Sequence, residues 1–197
     1  MADLRSIQTC LPAVRALDAA TWNRTLLAID GLAGETRRGN DMSELKTGDL
    51  APTFKLPADG GGTIDLADLR GQIVVLYLYP KDDTPGCTTQ ALDFTAASAA
   101  FREAGATIIG LSKDSVKRHD NFKAKHGLEV SLVSDPEAEV IEAYGSWVLK
   151  KLYGREYMGI DRSTFLIDRD GHVARIWHKV KVKGHVDEVL EAVRELG

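Results

Sequence analysis

IVVLYLYPKDDTPGCTTQA, running from Ile73 to Ala91, decides how this chain folds. Ile73 to Tyr79 is a near-continuous apolar run, the pattern of a strand buried at the centre of a sheet. Pro80 ends it, because proline has no N–H to give to a ladder. From Thr88 the chain turns Ala-rich and reads as a helix to Ala104, closed by Gly105. Cys87 stands where the helix begins. A thiol in the first turn of a helix faces N–H groups without intrahelical partners and the positive end of the dipole. Both favour the thiolate, which is the reactive form of cysteine.

Outward from this stretch, strands and helices alternate. Phe54 to Leu56 and Thr63 to Leu66 read as short strands around an Asp59–Gly62 turn, and Thr107 to Leu111 as a second buried strand. Ser115 to His126 forms a polar helix ending at Gly127, followed by a strand from Val130 to Val133. Pro136 precedes a short helix over Glu137 to Tyr144, a position proline favours. Ser163 to Ile167 and His172 to Trp177 form a hairpin about Asp170–Gly171. An amphipathic helix, His185 to Leu196, closes the chain. Alternation followed by a hairpin and a last helix predicts an α/β sandwich around a mixed sheet, in the order of the thioredoxin-like fold. No internal repeat or low-complexity tract interrupts it.

Residues 1–41 differ in character. Ile7, Leu11, Val14 and Leu17 recur at helical spacing, as do Trp22, Leu26 and Ile29, before the linker-like GETRRGND. Two readings stand: a helical hairpin extension, or residues outside a native protein that starts at Met42, with the domain covering 42–197. The 197 residues suffice for one domain with a substantial core. A net charge of −4 marks neither a nucleic-acid nor a membrane partner, and no apolar run reaches the length of a membrane span. The N-terminus carries neither a secretory pattern nor a convincing transit peptide. Two distant cysteines, Cys10 and Cys87, do not make a disulfide framework, so a reducing cytoplasm is expected.

Taken alone, Cys87 reads as a small buried hydrophobe; the small or polar Thr84, Gly86, Thr88 and Thr89 around it argue for a nucleophile. Chemistry at a thiolate moves negative charge from sulfur onto a leaving group, and aligned donors lower that barrier. Thr84 offers a hydroxyl and Cys87 its backbone N–H. Arg162, at the head of a strand, offers a guanidinium that can hold the thiolate with one N–H group and an oxygen of its reaction partner with another. Pro80 would end the strand in any case and is expected to shield the sulfur from bulk water.

Pro80, Thr84 and Cys87 form the spacing PxxxTxxC. With YGREYMGIDRSTFLID and WHKVKVKGHVDEVL, this stretch resembles the Q-type peroxiredoxins, or bacterioferritin-comigratory proteins, over residues 43–197. The resemblance implies a thiol-dependent peroxidase that takes hydrogen peroxide and organic hydroperoxides. Cys87 would be the peroxidatic residue, with Pro80, Thr84 and Arg162 completing the site. It implies regeneration by thioredoxin or another thiol, a monomer or weak homodimer, and neither cofactor nor metal. Many relatives carry a resolving cysteine five residues on; here Leu92 stands there, which points to a one-cysteine cycle closed by an external thiol.

Competing readings are a disulfide oxidoreductase, which would want cysteine at Thr84, and a binding or holdase protein of the same fold with little turnover. His172, His178 and His185 fit no compact metal spacing. Lys179, Lys181 and Lys183 alternate with Val180 and Val182 as on a solvated edge strand. Trp147 and Tyr153 read as packing residues rather than a peroxide pocket, and Gly60 to Gly62 as a turn.

Overall fold

The computed structural model describes residues 44–197 other than Tyr153; the expected N-terminal helices and Cys10 lie outside them. Strands β1 (Lys55–Pro57) and β2 (Thr63–Asp65) form a small antiparallel ribbon around the expected turn. Then follow β3 (Ile73–Leu78), α1 (Pro85–Ala96), α2 (Ser98–Glu103), β4 (Ala106–Ser112), α3 (Val116–His126), β5 (Ser131–Ser134) and α4 (Glu139–Ala143). A hairpin of β6 (Trp147–Leu152) and β7 (Arg155–Ile160) precedes β8 (Ser163–Ile167), β9 (Val173–Trp177) and α5 (His185–Leu196). The main sheet runs β5-β4-β3-β8-β9, with β4 parallel to β3 and β5, and β8 antiparallel to β3 and β9.

All six residues of β3 are buried. Side chains of a strand alternate between faces, so Ile73, Val75 and Tyr77 enter one core with Phe94, Phe101, Phe122, Val189 and Val193. Val74, Leu76 and Leu78 enter another with Phe54, Ile141, Tyr144 and Phe165. Both faces are covered, which is why the run is continuous rather than alternating. Gly110 on β4 admits the Tyr77 ring: a Cβ there would stand 2.5 Å from its Cζ and 2.8 Å from Leu132.

Several elements differ from expectation. The helix after Cys87 starts at Pro85, in its first turn, and breaks at Ala97 (φ −91°, ψ −1°) into α1 and α2. The short helix begins at Glu139 rather than beside Pro136. A turn closed by Ala138 N–H on Asp135 O (3.1 Å), with Ala138 at φ 65°, comes first, and the Asp135 carboxylate accepts from Ile141 N–H at 2.9 Å. The β6–β7 hairpin is exposed over Arg155 to Met158, so no alternation marks it in the sequence. The lysine-rich segment after β9 is not a strand: Lys179 is left-handed (φ 51°), and the chain crosses the end of β8.

Candidate active site

Leu78, the last residue of β3, pairs with Ser163, the first of β8. That register puts Arg162 at the sheet end from which the Pro80–Thr84 loop departs. Arg162 Nη2 donates to Cys87 Sγ at 3.3 Å, joining residues 75 apart in the chain. Its Nη1 donates to Gln90 Oε1. A guanidinium only donates, so the oxygen of the Gln90 amide must face it, and Gln90 Nε2 is left buried with no partner among the described residues. Gln90 lies three residues after Cys87 and shares its helix face.

The backbone of Arg162 is also held. Its carbonyl accepts from Val180 N–H at 2.9 Å, and the neighbouring Asp161 carboxylate accepts from Lys179 N–H at 3.0 Å. The lysine-rich segment therefore fastens the arginine in place. Behind it, Thr164 Oγ1 meets His185 Nε2 at 2.8 Å and Ser163 Oγ meets His178 Nδ1 at 3.2 Å. Burial pushes the His185 pKa down; the Arg162 charge acts in the same direction against the opposing pull of Glu188.

Cys87 is 2% exposed and joins the core with Tyr77, Tyr79, Ala91 and Phe94. Its small polar neighbours do not keep it out of the interior; the sulfur is buried and touches a cation. The first hydrogen bond of α1 runs from Thr88 N–H to Thr84 O at 2.8 Å. The N–H groups of Gly86 and Cys87 precede it and have no intrahelical acceptor. Thr84 sits at the N-cap in extended conformation, yet its hydroxyl caps nothing; it donates to Lys81 O at 3.1 Å. Pro80 lies exposed, separated from the end of β3 by Tyr79. Leu92 is 41% exposed. Five residues past Cys87 is about 140° around the helix, so position 92 faces away from the sulfur.

The structure brings Cys87 and Arg162 into contact, with Thr84 at the mouth of the same helix. Gln90 is not marked by the motif; its signal is the helical spacing from Cys87. His172 stands beside Asp168, apart from His178 and His185. No group of three His, Cys, Asp or Glu is placed to hold a metal ion among the described residues. Trp147 packs against the second core with Lys113 Nζ 4.6 Å from its ring centre.

Residues 47–176 match the AhpC/TSA family. The chain belongs to that family. Peroxiredoxin Bcp of Bacillus subtilis is 49% identical over 152 residues, which is 77% of this chain and 97% of that protein. The structure of Xanthomonas campestris peroxiredoxin Q is 47% identical, with a TM-score of 0.70 over 72% of this chain and 90% of that one. BcpB of Mycobacterium tuberculosis is 32% identical, with a TM-score of 0.69 over 78% and 99%. The bacterioferritin comigratory protein of X. campestris, 46% identical, has alkyl peroxide reduction activity. This peroxiredoxin therefore has the thioredoxin-like fold expected for it and is a thiol peroxidase of the Bcp, or Q, type. Nothing in these likenesses favours a holdase or binding protein.

Proposed function

We propose that this peroxiredoxin reduces hydrogen peroxide and organic hydroperoxides at Cys87 in a one-cysteine cycle. The observation that carries the reading is the contact of Arg162 Nη2 with Cys87 Sγ at 3.3 Å. The thiolate attacks the hydroxyl oxygen of ROOH. An S–O bond forms, the O–O bond breaks, and its electron pair leaves on RO, which takes a proton to become ROH. Arg162 stabilises charge on sulfur before attack and on the oxygens during it. The Cys87 N–H adds a donor. Thr84 spends its hydrogen on Lys81 O, so its oxygen accepts the O–H of the incoming peroxide. Pro80 ends the β3 ladder and screens the sulfur from solvent.

Cys87 is left as a sulfenic acid. One external thiol displaces water from it to give a mixed disulfide; a second releases Cys87 and the oxidised thiol. Leu92, exposed and turned from the sulfur, supports an external source. Thioredoxin or a low-molecular-weight thiol in a reducing cytoplasm fits this need. The similarity to an alkyl-peroxide-reducing relative supports organic hydroperoxides as substrates.

The test is peroxide consumption with a thiol donor, followed by mass spectrometry after one equivalent of peroxide. Cys87→Ser is expected to abolish turnover, and the wild type to carry a sulfenic-acid adduct at Cys87. Turnover by Cys87→Ser at the wild-type rate would sink the peroxidase assignment. A stoichiometric Cys10–Cys87 disulfide would sink the one-cysteine cycle.

A further inference from the structure

The loop that carries the chemistry is fastened at two consecutive residues. Asp83 is exposed, left-handed at φ 58°, and held by Lys125 Nζ at 2.6 Å and His126 Nε2 at 2.8 Å, both on α3. Asp82 turns the other way and is buried. Its carboxylate accepts from Tyr79 OH at 2.7 Å and meets His119 Nδ1 at 2.8 Å. His119 is itself fully buried on α3, with Nε2 3.2 Å from Val133 O on β5. A buried carboxylate is costly unless paired in this way. A left-handed non-glycine residue beside it is a strained conformation of the kind that clusters at functional sites.

The backbone between these anchors bears on Thr84. Asp82 N–H donates to Asp114 Oδ2 at 2.7 Å. That N–H shares one rigid peptide plane with the Lys81 carbonyl, which in turn accepts the Thr84 hydroxyl at 3.1 Å. The plane is thus pinned at its N–H end by Asp114 and orients Thr84 from its carbonyl end. Asp114 is held in place by Ser112 Oγ at 3.0 Å and Arg118 Nε at 2.9 Å. It stands just beyond β4, the parallel neighbour of β3, so the two strand ends brace each other.

We propose that Asp114 and Asp82, the latter locked by His119, are positioning residues for peroxide reduction. They act by fixing the Lys81–Asp82 peptide plane, and through it the direction in which the Thr84 hydroxyl presents its oxygen. The proposal rests on Cys87 being the peroxide-reducing thiol and extends that site to residues that touch neither sulfur nor substrate. Misplacing a reacting group by an ångström costs up to about a hundredfold in rate, and tilting a single hydroxyl costs less, about tenfold.

The experiment compares the second-order rate of peroxide reduction with the rate of Cys87 alkylation by iodoacetamide, which needs the thiolate but not Thr84. Asp114→Ala and Asp82→Ala should each slow peroxide reduction about tenfold and change alkylation less than about twofold. Asp114→Asn keeps an oxygen for the Asp82 N–H and should recover most of the rate. In a Thr84→Val background, Asp114→Ala should cost nothing further, because residues acting through one group are not additive. Asp114→Ala leaves the core intact and carries the test if Asp82→Ala does not fold. Three results overturn the proposal: an undiminished rate in Asp114→Ala, an equal fall in alkylation, or the same further loss in the Thr84→Val background. A wild type that consumes no peroxide with a thiol would instead overturn the peroxidase reading on which the proposal rests.

Discussion

A methyl group on residue 86 would sit 3.3 Å from Arg162 Nη2, the nitrogen that donates to Cys87. Gly86→Ala favours the helix locally but pushes on the guanidinium, so peroxide turnover should fall several-fold while the urea midpoint holds or rises. A loss of stability instead would show the crowding taken up by the backbone. Arg162→Lys keeps one charge and loses the fork that reaches Gln90 and Cys87 together. Its kcat/KM for peroxide should drop about a hundredfold, the scale of losing one aligned donor in a transition state; near wild-type kinetics would show that charge alone suffices. The meeting of Cys87 with Arg162 was legible because one opens a helix after a buried strand and the other heads a strand. Gln90 was marked only by its helical spacing from Cys87, and Asp82, Asp114 and His119 were not marked at all. The contacts of these three depend on which strand ends meet, and a single aspartate or histidine carries no such mark.

Among the elements, β3 and α5 read well because their sides are unambiguous: one is buried on both faces, the other apolar along one stripe. The α1–α2 break and α4 read less well, since local turn hydrogen bonds at Ala97 and Asp135 decide them rather than periodicity. The β6–β7 hairpin meets the core only at its base, through Trp147 and Ile160, and so left no alternating pattern. Helix α1 is held to the sheet largely by Phe94, which is fully buried and stacks on Tyr77 with ring centres 4.7 Å apart. Phe94→Ala should cost about 3–5 kcal/mol in urea unfolding. A cost under 1 kcal/mol would mean that α1 packs independently of that ring.

For the whole molecule, the acid limb of stability involves His185, which faces Thr164, Phe94 and Trp177, with Arg162 and Glu188 as its charged influences. Its folded pKa lies below the ordinary 6.5. Above that pH the ring is neutral folded or unfolded and stability is unaffected. As pH falls below 6.5 the unfolded chain takes a proton that the folded one resists, so stability declines until the folded pKa is passed. The urea midpoint should therefore fall between pH 7.5 and 5.5 more in the wild type than in His185→Phe; equal slopes would remove His185 from the account. Cys87 and the three residues proposed to act with it lie after Met42, and 77% of this chain matches nearly the whole of the B. subtilis protein. A chain started at Met42 should fold and turn over peroxide with a small thiol unchanged, and failure to fold would show that the preceding residues complete the domain. The 75-residue separation of Cys87 and Arg162 also sets a clock. At about 5–20 residues per second, synthesis takes about 4–15 s to travel from the sulfur to its cation. Through that interval the growing chain holds the thiol but not yet its guanidinium. The contact on which the proposed reactivity rests forms only when β8 pairs with β3, late in the chain's own making.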